Sequence, residues 1–307
     1  MRVDHLAERL RALATNSEAL FLFEIEAGQV RFDNKPAAPP IYRARAELYR
    51  DFLQRVIDCH AIGRSGRLAL SLEDRSGARP GLPVFEYQKQ RGSPSMLLPD
   101  VDLLGTAFFV GEAFRDPVPF AEKRAEAFFV GATSGGLLTA DTVRALAHPR
   151  LRAAAYFRDR PGVTFELPEI VQCDGPETEA MIRALGFGEV RRPWADHFGY
   201  RYLLSIDGNG ANCSRVALGL MGQAVLAKYN SPFLLFYFHG LEPWRHYLPV
   251  RRDDDVLALV AGAAETIERD AEIAARSTEF ARRHLTEAAC LSYTAELLRL
   301  YLDAFGR

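Results

Sequence analysis

Residues 198–232 read FGYRYLLSIDGNGANCSRVALGLMGQAVLAKYNSP, and no other stretch restricts the fold as tightly. YRYLLSI (200–206) is a mostly apolar run of strand length, the pattern of a strand buried on both faces. DGNGAN (207–212) is a tight loop of small residues. CSRVALGLMG (213–222) has helical spacing, and AVLAKY (224–229) is a second buried strand. Strand, glycine loop, helix, strand is half of a doubly wound α/β domain.

The rest of the chain extends that reading. Val3, Leu6, Leu10 and Leu13 recur at helical spacing. LFLFEIEAGQVRF (20–32) is two β-rich runs about a turn at Gly28, a hairpin, and the proline-rich DNKPAAPP that follows is a loop. Leu48, Phe52, Val56 and Ile57 lie on one face of a helix over 42–60. RLALSLED (67–74) predicts a strand ending in Glu73 and Asp74, and LPVFEYQ (82–88) another strand. AFFVG (127–131) predicts a strand that runs into the small-polar loop ATSGG. TADTVRALAH is a helix with Thr139 as its N-cap. Periodicity leaves the type of LRAAAYF (151–157) and TFELPEIV (164–171) open. Ala264 to Ala304 is mostly helical, and Leu298, Tyr301, Leu302 and Phe305 form the apolar face of the last helix.

At 307 residues the chain is long enough for two domains. The change from one α/β series to the next falls near Pro117–Lys123. The expected division is an N-terminal α/β domain over 1–120, a second Rossmann-like domain over 121–285, and a closing helix over 286–307.

Composition excludes several classes. With 48% hydrophobic and 25% charged residues the chain is neither disordered nor fibrous. A net charge of -2 supplies no global field for nucleic acid, so no nucleic-acid partner is expected. Lysine fills only four of the 38 basic positions. Arginine suits planar oxyanions, although genomic base composition accounts for such a skew just as directly. No stretch of about 18 apolar residues is present. The opening MRVDHLAERLRAL is charged and amphipathic without an apolar signal core, so a cytoplasmic protein is expected. Its Arg-rich faces read as solvated, with peripheral contact to the inner membrane as the alternative. Cys59, Cys173, Cys213 and Cys290 are scattered, without a C-x-x-C pair, and read as free thiols.

The residues that can carry chemistry sit in the loops. Gly208, Asn209, Gly210, Ala211 and Asn212 let a ligand approach the backbone. The helix beginning at Cys213 and Ser214 offers unpaired N–H groups and partial positive charge, an end that binds phosphate. Arg215, in its first turn, adds a charge-assisted contact. A strand-to-helix turn that merely needs small residues is the plainer reading. The G-x-G-x-x-G fingerprint fails, because Cys213 stands where its last glycine belongs. In the second loop, Gly131, Ala132, Thr133 and Ser134 offer hydroxyl and backbone donors to phosphate or sugar, or form a plain turn. Asp74 ends a strand at the edge where α/β sheets build sites, and a carboxylate there can take a proton; a cap or surface turn is the alternative. Asp100 and Asp102, and the run Asp253–Asp255, have oxygen ligands suited to Mg²⁺ or Mn²⁺. Such acids are more commonly solvated, and no metal site is expected.

Together these pieces resemble glycosyltransferase family 90, the capsule-associated and lipopolysaccharide-modifying transferases related to protein O-glucosyltransferases. The resemblance covers roughly residues 20–303. It is carried most specifically by YRYLLSIDGNGANCSR, and then by AVLAKYNSPFLLFYFHGLEPWRHYLPV with its Pro-Trp-x-His-Tyr-x-Pro-Val ending. FFVGATSGG is similar to the family's aromatic-Arg-Gly-Ala-Thr-Thr-Gly loop, with Val130 in place of the arginine. FLLF (233–236) replaces the family's usual tryptophan and acid. LSLED, PVFEYQK and LLPDVDLL resemble the N-terminal block.

The resemblance implies a GT-B fold of two Rossmann-like domains facing across a cleft, with the C-terminal helix crossing back to the first. It implies an inverting, metal-independent transfer of glucose, xylose or a similar sugar from a UDP-sugar to a hydroxyl of a surface glycan such as lipopolysaccharide core. No cofactor is implied; the UDP-sugar is the donor substrate. Asp74 is then the general base, with Glu73 as the neighbouring fallback. Gly131–Ser134 and Gly208–Arg215 hold the donor diphosphate. The rival readings are a degenerate, non-catalytic binder of sugar-nucleotide or polysaccharide, motivated by Val130, and an NAD(P)-dependent oxidoreductase, whose early glycine fingerprint is missing.

Overall fold

The computed structural model describes residues 3–74, 81–211 and 213–306; Asn212, one of the expected loop residues, lies outside them. The chain is mixed α/β and divides into two compact units. Unit one holds Met1–Phe108, Pro232–His239 and Arg283–Arg307; unit two holds Phe109–Ser231 and Gly240–Arg282. Among the described residues no helix is long and apolar enough to cross a membrane.

Helix α1 (Val3–Thr15) opens unit one, followed by the hairpin β1 (Leu20–Glu26) and β2 (Gln29–Phe32). Glu26 pairs with Gln29 across a two-residue turn. Both turn residues, Ala27 and Gly28, have positive φ, as the hairpin turn that matches strand twist requires. Helix α2 (Pro40–His60) leads to β3 (Gly66–Ser71), β4 (Val84–Glu86), β5 (Lys89–Gln90), β6 (Met96–Leu97) and α3 (Val101–Gly105). The sheet order is β2-β1-β3-β4-β6. β1 is antiparallel to its neighbours, whereas β3, β4 and β6 run parallel.

Unit two begins with β7 (Arg124–Ala132), α4 (Ala140–Arg144), α5 (Pro149–Phe157), β8 (Val163–Glu169), α6 (Pro176–Ala184) and α7 (Trp194–His197). It continues with β9 (Tyr200–Ser205), α8 (Cys213–Met221) and β10 (Val225–Tyr229). LRAAAYF is therefore helical and TFELPE a strand. The chain visits unit one at β11 (Phe233–Leu234), which pairs with β5. It returns for β12 (Leu248–Val250), α9 (Asp253–Ala261) and α10 (Ile267–His284). The final helix, α11 (Glu287–Phe305), packs on α2 in unit one. There the Tyr301 hydroxyl donates to the Arg67 carbonyl at 2.7 Å and the Tyr293 hydroxyl to the Leu97 carbonyl at 2.8 Å.

The sheet of unit two is ordered β12-β10-β9-β7-β8 and is parallel throughout. Its inner strands β9 and β10 are buried at every position. Pro168 and Pro249 both sit in edge strands, β8 and β12, because a proline cannot donate to a ladder on both sides. From β7 the chain moves outward to β8. It then crosses over to β9 and moves outward the other way, to β10. The topological switch point thus falls between β7 and β9, where α/β sheets open a crevice at the carboxyl ends of their strands.

Candidate functional site

Two loops leave the sheet at that switch point. Thr133–Gly136 continues β7, and Ile206–Ala211 continues β9. Gly131 and Ala132, expected in the loop after β7, are the last two residues of β7 itself, where Ala132 pairs with Glu169 of β8. One side chain, Arg150, fastens them together. It lies in the first turn of α5, after Pro149, whose missing N–H costs nothing at that position. Its Nη1 donates to the Ala132 carbonyl at 2.8 Å and to the Ser134 hydroxyl at 2.9 Å. Its Nη2 donates to the Ile206 carbonyl at 3.0 Å and its Nε to the Asp207 carbonyl at 3.1 Å. Arg150 is 4% exposed. Burial lowers its pKa to about 10, opposed by the Asp207 carboxylate. Nothing in the segment PRLRAAAYF (149–157) singles this residue out; its four acceptors come from two distant stretches of chain, at and beyond the ends of β7 and β9. The one local signal is a charged residue just inside a proline-opened helix with an otherwise apolar inner face.

Gly208 needs to be glycine for a reason that only the folded chain supplies. A Cβ there would lie 2.6 Å from Ser134 Oγ and 2.8 Å from Arg150 Nη2. The two loops approach so closely that no side chain fits between them. Gly208 N–H donates to the Gly210 carbonyl at 3.2 Å, and Ala211 is fully buried.

Arg215 is the third residue of α8 and is 7% exposed. Its guanidinium is turned back under the end of β7. Nη2 donates to the Val130 carbonyl at 2.6 Å, and Nη1 donates to His197 Nδ1 at 3.3 Å. It packs on Phe129, 4.3 Å from the ring centroid, and on Trp194 at 5.3 Å. Position 130 therefore contributes its backbone oxygen, while the Val130 side chain is buried with Phe128, Tyr200 and Leu203. A Cβ on Gly131 would stand 3.0 Å from the Phe129 ring and 3.6 Å from Arg215 Nη2. Burial, and then the like charge of Arg150, push the Arg215 pKa down to about 9. Its Nε has no hydrogen-bond partner among the described residues.

The remaining expected residues divide. Ser134 Oγ is in the Arg150 network. The Thr133 hydroxyl is committed within the fold, donating to the Val171 carbonyl at 3.0 Å and accepting from Val171 N–H at 2.8 Å. Asn209 stays in the loop, and Ser214 is the second residue of α8. Two histidines border the cluster. Burial and Arg150 push the His148 pKa down to about 4, and burial and Arg215 push His197 to about 3, so both rings are neutral near pH 7. The cluster thus gathers two buried guanidiniums against one nearby carboxylate, Asp207. The nine-residue helix α8 adds its N-terminal partial charge. Such an arrangement can hold an anion.

Asp74 belongs to unit one, three residues beyond the end of β3. Its carboxylate accepts from the Tyr87 hydroxyl at 2.5 Å and pairs with Arg45 at 2.9 Å. Arg45 also donates to the Leu72 carbonyl at 2.6 Å, and Gln88 donates to the Asp74 carbonyl. Asp74 is half-buried, so a fixed, partly accessible carboxylate stands at the carboxyl end of a strand.

The other acids have local partners. Asp100 caps α3, accepting from the N–H groups of Asp102 and Leu103 at 3.1 Å each. Burial and Asp102 push its pKa up to about 7. Asp253 pairs with Arg152 at 3.1 Å and accepts from the Tyr229 hydroxyl at 2.8 Å; Asp254 accepts from the Tyr156 hydroxyl. Asp255 accepts from the N–H groups of Arg251 and Arg252 at 2.7 and 3.0 Å.

The profile of the family described as Glycosyl transferase family 90 matches residues 68–305. Among curated proteins, the chain is 32% identical over 109 residues to Protein O-glucosyltransferase 2 of Danio rerio, covering 35% of this chain and 22% of that protein. It is 31% identical over 109 residues to Protein O-glucosyltransferase 3 of Homo sapiens, covering 35% and 21%. It is 25% identical over 189 residues to the O-glucosyltransferase rumi homolog of Aedes aegypti, covering 61% and 43%. The chain spans about a fifth of the length of the first two relatives.

Proposed function

We propose, from the premise that this chain belongs to glycosyl transferase family 90, that it is an inverting, metal-independent glycosyltransferase that moves a sugar from a UDP-sugar to a hydroxyl of a glycan. The observation that carries the reading is the pair Arg150 and Arg215, two buried guanidiniums at the switch point of a parallel sheet. Burying such charges without carboxylates in direct contact is costly, and an anion on the site would offset that cost. A diphosphate leaving group is an anion of the right kind. Its negative charge grows as the sugar leaves, so cations and N–H groups already in place stabilise the transition state more than the ground state.

In the proposed reaction the acceptor oxygen attacks the anomeric carbon on the face opposite the diphosphate. The bond from that carbon to the phosphate oxygen breaks, with its electron pair going to the leaving UDP. The acceptor proton passes to the Asp74 carboxylate. General-base catalysis of this kind contributes about 10²–10⁴-fold. The proposal includes the GT-B arrangement that the resemblance implies, and a surface glycan such as lipopolysaccharide core as acceptor. The O-glucosyltransferase names of the relatives add protein hydroxyls as an acceptor class to try.

Calorimetric titration with UDP, UDP-glucose and UDP-xylose, followed by UDP-release assays on glycan and protein acceptors with and without EDTA, tests this. Saturable UDP binding and EDTA-resistant release are expected. Absence of nucleotide binding would sink the donor site. Binding without release on any acceptor would favour the non-catalytic reading.

A further inference from the structure

Trp244 is 55% exposed and has a backbone φ of +65°. The left-handed region is an outlier for so bulky a residue. The loop around it holds it there. Trp244 N–H donates to the Tyr247 carbonyl at 2.8 Å, and His246 N–H donates to the Glu242 carbonyl at 2.9 Å. Glu242 N–H donates to His246 Nδ1 at 3.0 Å, and the buried His246 ring packs on Phe280 with centroids 5.0 Å apart. A strained backbone that keeps a large apolar ring in water does nothing for folding. Strain held in place by its surroundings is a mark of a binding site.

The indole borders a cavity of about 370 Å³ in unit two, with Pro249, Arg251, Asp255, Leu259 and Arg269 among its walls. Arg269 is fixed. Its Nε and Nη2 donate to Asp270 Oδ1 at 2.9 and 2.7 Å, and its guanidinium carbon lies 5.6 Å from the Trp244 ring centroid. Asp270 is fully buried and also accepts from the Tyr202 hydroxyl at 2.7 Å and from Thr266 at 2.9 Å. Asp255 is occupied by two backbone N–H groups. Arg251 is exposed, and its charge helps hold the Asp255 carboxyl below the usual carboxylate range.

We propose that this cavity is a second binding site, separate from the diphosphate site, for an acidic sugar residue of a glycan. The apolar face of a pyranose ring lies on the indole of Trp244, and its carboxylate pairs with Arg251. Arg269 is balanced by Asp270 and Asp255 faces Arg251, so it is the N–H donors of the Arg251 guanidinium, not a net positive lining, that favour a uronate over a neutral sugar. The choice of a sugar over another flat anion rests on the transferase reading above.

The test is calorimetric titration of the whole chain with trigalacturonate, with maltotriose as the neutral control and uridine monophosphate as competitor. Trigalacturonate is expected to bind at least tenfold more tightly than maltotriose, and at least tenfold more weakly to Trp244→Ala and Arg251→Gln. UDP affinity should be unchanged in both variants. Arg251→Gln alters an exposed side chain, so it keeps the test valid if Trp244→Ala fails to fold. No trigalacturonate binding, equal binding by Arg251→Gln, or displacement by uridine monophosphate would overturn the site. Failure of wild-type protein to bind UDP would instead count against the transferase reading, and is read separately.

Discussion

Arg150 reaches Ser134 at 2.9 Å with the same guanidinium that holds the Ile206 carbonyl at 3.0 Å, so one side chain sets the spacing of the loops after β7 and β9. Replacing it leaves up to four oxygens without their donor. Arg150→Gln should destabilise the protein by about 1–3 kcal/mol, the range for leaving buried acceptors without their partner. Arg150→Lys keeps a charge but not the planar fork, and should still lose UDP affinity tenfold or more. Urea unfolding and UDP titration measure the two effects. Wild-type UDP affinity in a folded Arg150→Lys would show that the spacing is set by other contacts.

Arg215 differs, because its hydrogen bonds run to Val130 and His197 and its Nε has no partner among the described residues. Arg215→Ala should weaken UDP binding by about 2–3 kcal/mol, as expected for removing one member of a charge pair. If the affinity of a folded mutant is unchanged, the diphosphate is not held at this end of α8.

Gly208→Ala puts a methyl group 2.6 Å from Ser134 Oγ. The loops must part, at a cost of about 1–3 kcal/mol. Ser134→Ala removes the crowded oxygen, so the double mutant should recover part of the loss. A double-mutant cycle read by thermal melting checks this; strict additivity would mean that the two loops do not feel each other.

Asp74→Asn removes the proton acceptor and keeps the shape. Transfer should fall by about 10²-fold or more while UDP affinity stays near wild type. Asn still accepts from Tyr87, although the ion pair with Arg45 at 2.9 Å is lost. That pair is partly exposed, so a stability cost of about 1 kcal/mol or less is expected. Transfer at the wild-type rate would move the search to Glu73.

His197 has its pKa lowered to about 3, first by burial and then by Arg215. As pH falls below the ordinary value near 6.5, the unfolded chain takes up a proton that the folded chain refuses. Stability is therefore lost on acidification from 6.5 towards 3, by at most about 1.4 kcal/mol per pH unit for one histidine. Between pH 7.5 and 5 the wild type should lose about 2 kcal/mol more than His197→Gln. Urea denaturation at the two pH values decides it; parallel losses would mean that the ring is solvated.

Much of the architecture was legible in the residue order because local physics wrote it there. The run YRYLLSI has the length and aromatic content of a buried strand, and Ala27–Gly28 allows the hairpin turn. Thr139 accepts from Thr142 N–H at 3.2 Å, as an N-cap does. The stretches Gly131–Ser134 and Gly208–Arg215 stood out as ligand-permissive for the same reason: small residues near the end of a strand are a local signal. That β7 itself runs on through Gly131 to Ala132 was not legible. The departure at Val130 was visible too, but not its consequence, since only the backbone carbonyl of that residue meets Arg215.

What tertiary structure alone decided is which of those groups meet. The acceptors of Arg150 lie 16 to 57 residues away along the chain, and no periodicity within α5 encodes a contact at that separation. Whether Thr133 faces a ligand or the exit of β8 likewise depends on where Val171 arrives. Strand order is not contained in any one segment, so the switch point between β7 and β9 exists only once the parallel sheet has assembled. Residue type set what each side chain is able to do; packing set which of them share a place, because burial and hydrogen-bond satisfaction are settled by the whole domain at once.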